Sequence, residues 1–251
     1  MPRRIVVISG AGISVESGVR AFRTDSESGV AMWDEYSVDQ VCNIQAFNLG
    51  FYGKTHDFYN KRRQELETVE PNLAHLRVAE WYQRYPGQVV NVTTNVDDLL
   101  ERAGIPHKDV LHLHGYLPEV IVQQEEGDNK IVKDVGYSAI DPDDYHWAKP
   151  NVIFFGEYAP AYIEQNTIMS SLTTQDLVIV VGCSGVVIDF VDELVHWEKY
   201  GGYKTWVVNP KPNALEVKYA DEGKITLWIA GAVETFGNPH FIRQVEKHLE
   251  G

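Results

Sequence analysis

The chain of 251 residues contains only two cysteines, Cys42 and Cys183, far apart in sequence. That excludes a disulfide framework and a zinc ribbon, which needs Cys/His pairs at close spacing. Long apolar runs are also missing: none approaches the ~18–20 residues that span a bilayer. Met1-Pro2-Arg3-Arg4 leads only into the short run Ile5 to Ile8, broken by Gly10 and Gly12. A secretory signal needs a longer run followed by a cleavage site, so a cytoplasmic protein is expected. Positive charge is scarce: 22 Lys+Arg against 36 Asp+Glu give a net charge of −14. Partners that want a broadly basic surface, nucleic acid and anionic membrane, are not expected. The 20 glycines and 11 prolines are scattered, which removes collagen-like and low-complexity readings. There is no internal repeat.

What is present suits a soluble α/β protein. Hydrophobic residues make up 44%, enough for one sizeable core with a small satellite. Short β-branched runs predict strands over 4–9, 89–94, 110–113, 152–155, 177–181, 205–209 and 225–229. Most are continuously apolar, as strands buried on both faces are. Helical stretches are predicted over 58–67, 72–84, 96–103, 161–171, 189–199 and 240–249. This alternation predicts a doubly wound parallel sheet. The segments 24–71 and 117–149 break the alternation, the second being acidic and loop-like, and a second small lobe is expected from them.

Polar residues gather where strands end. The first strand runs into Gly10-Ala11-Gly12-Ile13-Ser14-Val15-Glu16-Ser17-Gly18, suited to a close approach of main chain to a pyrophosphate. Its third glycine comes six residues after Gly12, not three, so a structural turn remains an equal reading. Thr93-Thr94-Asn95-Val96-Asp97, His112-Leu113-His114-Gly115 and Gly182-Cys183-Ser184-Gly185 end three further strands. Ligands of open parallel sheets sit beyond such ends. Each segment also has a plain structural reading: Asn95 as a helix cap, His112 as a packed histidine, Gly182-Cys183-Ser184 as a turn. Of the two histidines His114, nearer the turn, is the crevice candidate.

Taken together and in order, these segments resemble the sirtuins, NAD-dependent protein lysine deacylases. Phe22-Arg23, Pro71-Asn72-Leu73-Ala74-His75, Arg102-Ala103-Gly104, Phe155-Gly156-Glu157 and Val208-Asn209 complete the match, which covers roughly Ile5 to Ala232. The resemblance implies a Rossmann-like large lobe, about 1–23, 72–116 and 150–251, a small lobe from 24–71 and 117–149, and NAD extended between them. It implies that Gly10, Ala11, Gly12 and Glu16 lie along the diphosphate and that Phe22 and Arg23 cover the reacting ribose. Thr94, Asn95, Val96 and Asp97 would line the nicotinamide pocket. Ser184 would meet phosphate, with Gly182 and Cys183 also against the cofactor, Asn209 would meet the adenosine ribose, and Ala232 would lie near the adenine. Phe155, Gly156 and Glu157, opposite Gly185, would hold an acyl-lysine peptide as an added strand. His114, Asn95 and Asp97 would be catalytic, with His114 the base for a ribose hydroxyl. The products implied are lysine, nicotinamide and O-acyl-ADP-ribose.

Phe58-Tyr59-Asn60-Lys61-Arg62 further resembles the Tyr-x-x-Arg motif of sirtuins that remove succinyl and malonyl groups. Three residues apart, Tyr59 and Arg62 share a helix face, and a guanidinium grips a carboxylate well. The plainer reading is an amphipathic helix with a solvated basic edge.

The chain also departs from the family. Most sirtuins bind zinc through four cysteines in the small lobe, and 116–150 has none, so no zinc is expected. Asp141, Asp143, Asp144 and His146 read as an acidic solvated loop. Packing around Trp147, Tyr145 and Tyr137 is expected to replace the metal. Thr94 stands where Gln is usual and Cys183 where Thr is usual, and the segment 24–31 is long and polar. An NAD hydrolase with water as acceptor is the alternative to a deacylase. A non-enzymatic sensor of NAD or ADP-ribose fits least well.

Overall fold

The computed structural model describes residues 3–20, 36–123, 129–185 and 187–251. In chain order the strands are β1 (Arg4–Ser9), β2 (Val89–Thr93), β3 (Val110–His112), β4 (Gly115–Gln123), β5 (Lys130–Asp134), β6 (Trp147–Val152), β7 (Asp176–Val181), β8 (Lys204–Val208) and β9 (Thr226–Trp228). The helices are α1 (Gly12–Val15), α2 (Val38–Val41), α3 (Ile44–Ala46), α4 (Tyr52–Glu67), α5 (Leu73–Arg84), α6 (Leu99–Arg102), α7 (Ala161–Ser170), α8 (Phe190–Gly201), α9 (Ala214–Asp221), α10 (Ala232–Gly237) and α11 (Pro239–Glu250). Among the described residues no helix is long and apolar enough to cross a membrane.

The larger sheet has the order β3–β2–β1–β7–β8–β9 and every pair in it is parallel. Alternation along β1 sends Ile5 and Val7 to one face and Val6 and Ile8 to the other. The first face packs on α5, α10 and α11 through Trp81, Phe236, Phe241 and Val245. The second packs on α7, α8 and α9 through Met169, Phe190, Leu194 and Tyr219. Apolar cover on both sides is why six of these strands could be read within one residue of their ends.

The seventh expected strand, 152–155, is displaced. Val152 instead closes β6 in a small antiparallel sheet, β5–β4–β6, and Phe155 makes only an isolated bridge to Asn43. The stretch 117–149, read from sequence as loop-like, supplies most of this sheet. Two features hid it. Pairing of β4 with β6 shifts register between Gly115 and Val120, around Pro118, and every residue of β5 is exposed. Asp141 caps the acidic turn by accepting the Asp143 N–H at 3.0 Å.

Val120, Val122, Ile140 and Ala148 form the core of the small sheet, with Val135 and Tyr145 packed against it. Tyr137 and Trp147 pack instead on the cluster of α4, with Phe47, Phe58, Tyr59 and Phe154. Lys130 lies over Trp147 at 3.8 Å from the ring centre. Arg63, fully buried, ties α4 to the connection between β5 and β6 by donating to Ser138 O, and donates within its own helix to Asn60 Oδ1.

His56 makes a second tie. Its Nε2–H donates to Ala148 O at 3.1 Å, and its Nδ1 is buried without a partner among the described residues. Burial lowers its pKa to about 4, against the bond to Ala148; Arg63 adds to the lowering and Asp57 opposes it. An unfolded histidine titrates near 6.5. Protons therefore favour the unfolded chain below pH 6.5, and this contribution to stability is lost as pH falls toward 4. Against a His56→Gln variant, the wild type is expected to lose about 2 kcal/mol more between pH 7 and pH 5. Urea denaturation at the two pH values checks it; parallel losses in both proteins would contradict the neutral buried ring.

Candidate active site

Strand order reverses between β1 and β7, so the connections leaving these strands diverge to opposite faces and leave a crevice beyond their carboxyl ends. The register sets Ser9, Thr93 and Val181 in one row, continued by His112 and Val208. One residue further along lie Gly10, Thr94, Leu113, Gly182 and Asn209. Five separate stretches of sequence thus reach one rim because the strands end in step.

The floor of the crevice is a close contact between two main chains. Gly10 N–H donates to Val181 O and Gly12 N–H to Gly182 O, both at 2.9 Å. Gly182 has φ +64°, and a Cβ there would stand 2.4 Å from Ile13 N; one on Gly12 would stand 2.6 Å from Gly182 Cα. Side chains are thereby kept out of the place where the sequence predicted a diphosphate. Cys183 packs beneath Gly10, and burial pushes its thiol up to about 12, so it is no nucleophile at neutral pH. Ser184 is exposed on the rim.

Asn209 is placed by α9. Its amide donates to Glu216, whose carboxylate also accepts from Asn213 N–H in the capping box of that helix. Glu16 reaches across to α10, where its Oε2 accepts Val233 N–H at 2.9 Å beside buried Ala232. Glu16 therefore fixes the wall nearest Ala232. Phe22 and Arg23 lie outside the described residues.

Behind the rim a polar network is enclosed. Ser14, His75, Asn95 and Asp97 are all buried. His75 Nδ1 accepts Asn72 N–H, so its proton sits on Nε2 and points at Ser14 Oγ, 3.3 Å away. Ser14 Oγ also accepts from Asn95 Nδ2 at 3.1 Å, and its hydroxyl favours the ionised form of Asp97. Asn95 Nδ2 lies 3.2 Å from Gly10 O as well, which ties it to the glycine turn. Burial raises Asp97 to about 6, although the Ser14 hydroxyl and Leu99 N–H work against it, and burial lowers His75 to about 4. Helix α6 begins at Leu99 and not at Val96 because Asp97 Oδ1 takes the Leu99 N–H and holds 95–98 out of the helix.

The two nearby histidines part company. Strand β3 ends at His112, and the chain turns into β4 at Gly115, where φ is +91° and a Cβ would stand 2.1 Å from Asn151 O. His112 is buried against α6 and His114 faces α7. His114 Nδ1–H donates to Thr94 O at 3.1 Å, which leaves the Nε2 lone pair to accept the Tyr162 O–H at 2.8 Å. Burial lowers the His114 pKa, so the ring is neutral near pH 7 with its basic nitrogen toward α7. Val96 packs on the α4 cluster and its carbonyl accepts Leu117 N–H.

Beside this lies the region expected to hold an acyl-lysine. Phe155 gives its N–H to Cys42 O and its C=O to Ile44 N–H. Glu157 Oε2 accepts Phe154 N–H at 2.6 Å and pairs with buried Lys149 at 3.0 Å. Glu157 thus clamps its own turn, with Gly156 at φ +88°. Gly185 has φ +72° and lies beside Asp189. Tyr59 is buried, stacks on Phe154 at 5.6 Å and donates to Cys42 Sγ at 3.4 Å. Arg62, one turn on, lies over the Phe58 ring and pairs with Glu65 at 2.8 Å.

Sequence reasoning missed Ser14, His75 and Tyr162 as members of the site. The spacing Asn72-x-x-His75 signals a capping box, but no local pattern announces that its histidine meets a serine 61 residues away. Nothing in sequence marks Tyr162.

A family model described as Sir2 family matches residues 10–189. The chain belongs to the Sir2 family. A protein named NAD-dependent protein deacylase from Helicobacter hepaticus is 38% identical over 226 residues, 81% of this chain and 84% of that one. One of the same name from Vibrio vulnificus is 33% identical over 258 residues, covering 99% and 96%. A solved Sir2 homologue in complex with NAD has the same fold at TM-score 0.75 and 28% identity, covering 99% of this chain and 91% of that one. As a Sir2 protein the chain keeps the parallel sheet and the separate small sheet of that structure.

Proposed function

We propose that this Sir2 protein is an NAD-dependent protein lysine deacylase that prefers acidic acyl groups. One observation carries the reading: the neutral His114 ring, held by Thr94 O, stands at the same strand-end crevice as the enclosed Asn95–Ser14–Asp97 network and the side-chain-free contact of Gly10, Gly12 and Gly182. NAD fits that crevice because its floor is main chain alone where a pyrophosphate must come close.

In this reading Gly10, Ala11, Gly12, Gly182, Cys183 and Ser184 hold the diphosphate, with Glu16, Asn209 and Ala232 shaping the adenosine end. Phe22, Arg23, Thr94 and Val96 complete the pocket around the reacting ribose. Bound NAD supplies the leaving nicotinamide and the ribose carbon that takes up the acyl oxygen. Asn95 and Asp97 orient the leaving carboxamide, and the network behind them keeps both side chains fixed while water is excluded. His114 Nε2 takes a proton from a ribose hydroxyl, releasing it to accept the acyl group. Phe155, Gly156, Glu157 and Gly185 hold the peptide on either side, and Tyr59 and Arg62 receive the acyl carboxylate. The Tyr59 hydroxyl is free to turn, because the sulfur it now meets is a weak acceptor.

The large lobe is then 1–23, 72–116 and 150–251, and the small lobe 24–71 and 117–149. The residues present do not fit a four-thiolate zinc site: Cys42 lies in the α4 cluster, Cys183 lies beneath Gly10, and 117–149 contains no cysteine. We therefore assign the stability of the small lobe to its apolar core. A cytoplasmic setting belongs to the same reading.

The test is nicotinamide release from NAD with and without a succinyl-lysine peptide. Release is expected to depend on the peptide. Equal release without it would favour a hydrolase and reject the deacylase.

A further inference from the structure

On the α6 side of Asn95, away from His114, a second group of side chains converges that the deacylation reading does not use. Glu101 comes from α6, His107 from the short turn before β3, and His112 from the end of β3. One ligand atom from each lies within 4.8 Å of the others. Glu101 Oε1 stands 2.7 Å from His112 Nε2 and 3.0 Å from His107 Nδ1.

Three further observations bear on what this group is for. His112 Nδ1 lies 2.9 Å from Asn95 O, and a carbonyl only accepts, so Nδ1 carries the proton and Nε2 is the atom aimed at Glu101. That outer hydrogen bond to a main-chain carbonyl is the one that fixes the tautomer of metal-binding histidines. Among the described residues Glu101 Oε2 is buried with no hydrogen-bond partner, an expensive state for a carboxylate oxygen unless something else engages it. Finally, the Tyr116 ring packs on both imidazoles, at 4.2 and 4.9 Å, and holds their planes. The His112 and Glu101 side chains are only 6% and 12% exposed, whereas His107 is 48% exposed and leaves a way in from solvent.

We propose that Glu101, His107 and His112 form a binding site for one divalent ion of the zinc class, tethered through His112 to the main chain of Asn95. Two imidazoles and one carboxylate with an open fourth position suit a borderline tetrahedral ion, and not magnesium or calcium, which want an all-oxygen shell. The ion takes the place of the proton between His112 and Glu101 and offers the unpartnered Oε2 a ligand role. It stands behind the very residue that the crevice presents to the dinucleotide, so its occupancy is set to bear on the Asn95 main chain. The site stands apart from the small lobe and does not depend on the deacylase reading.

The probe is cobalt(II), added to the full chain freed of metal by chelator. The expected result is saturable uptake of one equivalent with the strong visible bands of a four-coordinate ion, reversed by zinc, and a melting temperature that rises with zinc concentration. His107→Gln changes a half-exposed side chain and is expected to fold with the urea midpoint of the wild type. It should weaken uptake by about a hundredfold, since losing even an outer partner of a ligand costs about 10–100-fold. His196→Gln, on an exposed histidine of α8, should change nothing. No saturable uptake by the wild type, or uptake that survives His107→Gln, would overturn the site and leave the group a plain ion-pair network.

Discussion

Replacing His114 with alanine is expected to lower deacylation by about 10²–10⁴-fold, the usual worth of a positioned general base. The expectation rests on which nitrogen is basic. Thr94 O holds the Nδ1 proton, and a carbonyl can hold nothing else, so the lone pair is on Nε2. Burial lowers the ring's pKa, so most of the enzyme carries the base form near pH 7. Tyr162 presently donates to that nitrogen, and a ribose hydroxyl must displace it. Alanine removes the base but leaves the glycine floor and the Asn95–Ser14–Asp97 network intact, since none of these bonds to His114 through its side chain. NAD affinity, read by calorimetry, should therefore change little while turnover collapses. Turnover within about fivefold of the wild type would remove His114 as base, since a positioned base is worth at least about 10²-fold.

Arg62→Met should separate acyl classes. Arg62 is buried, with its guanidinium over the Phe58 ring and against Glu65, which also receives Arg20 at 3.0 Å. Hydrogen bonds to charged groups contribute about 1.5–3 kcal/mol, so kcat/KM for a succinyl-lysine peptide should fall roughly 10- to 150-fold. Methionine keeps the length and apolar stem, so acetyl-lysine turnover should hold within about twofold. Equal losses for both peptides would assign Arg62 to the fold. The neighbouring Arg63 gives the contrast: it donates to Ser138 O and so joins α4 to the connection between β5 and β6.

What could be read in advance follows burial. Strands β1, β2, β7 and β8 are covered on both faces and appear in sequence as mostly apolar runs, so their ends and the rim beyond them were legible. The small sheet was not, because β5 is wholly exposed and Gly115 and Pro118 interrupt β4. Helices α9 and α10 were missed although Asn213 and Glu216 cap the first in plain view; each is short and weakly patterned. Asn95, Asp97 and His114 were put forward through a family motif. Ser14, His75 and Tyr162 join them only through contacts between distant segments, which a linear reading cannot supply. Glu157, expected at the peptide, pairs with Lys149 and accepts Phe154 N–H, contacts that fix the turn proposed to meet it.

The central claim is that the crevice passes an acyl group from lysine to the sugar of NAD with His114 as base. Mass spectrometry of the NAD-derived product, formed in the presence of a succinyl-lysine peptide, tests it most directly. The account predicts ADP-ribose bearing the succinyl group, together with the free-lysine peptide. Unmodified ADP-ribose as the first product, formed while the peptide keeps its succinyl group, would contradict it.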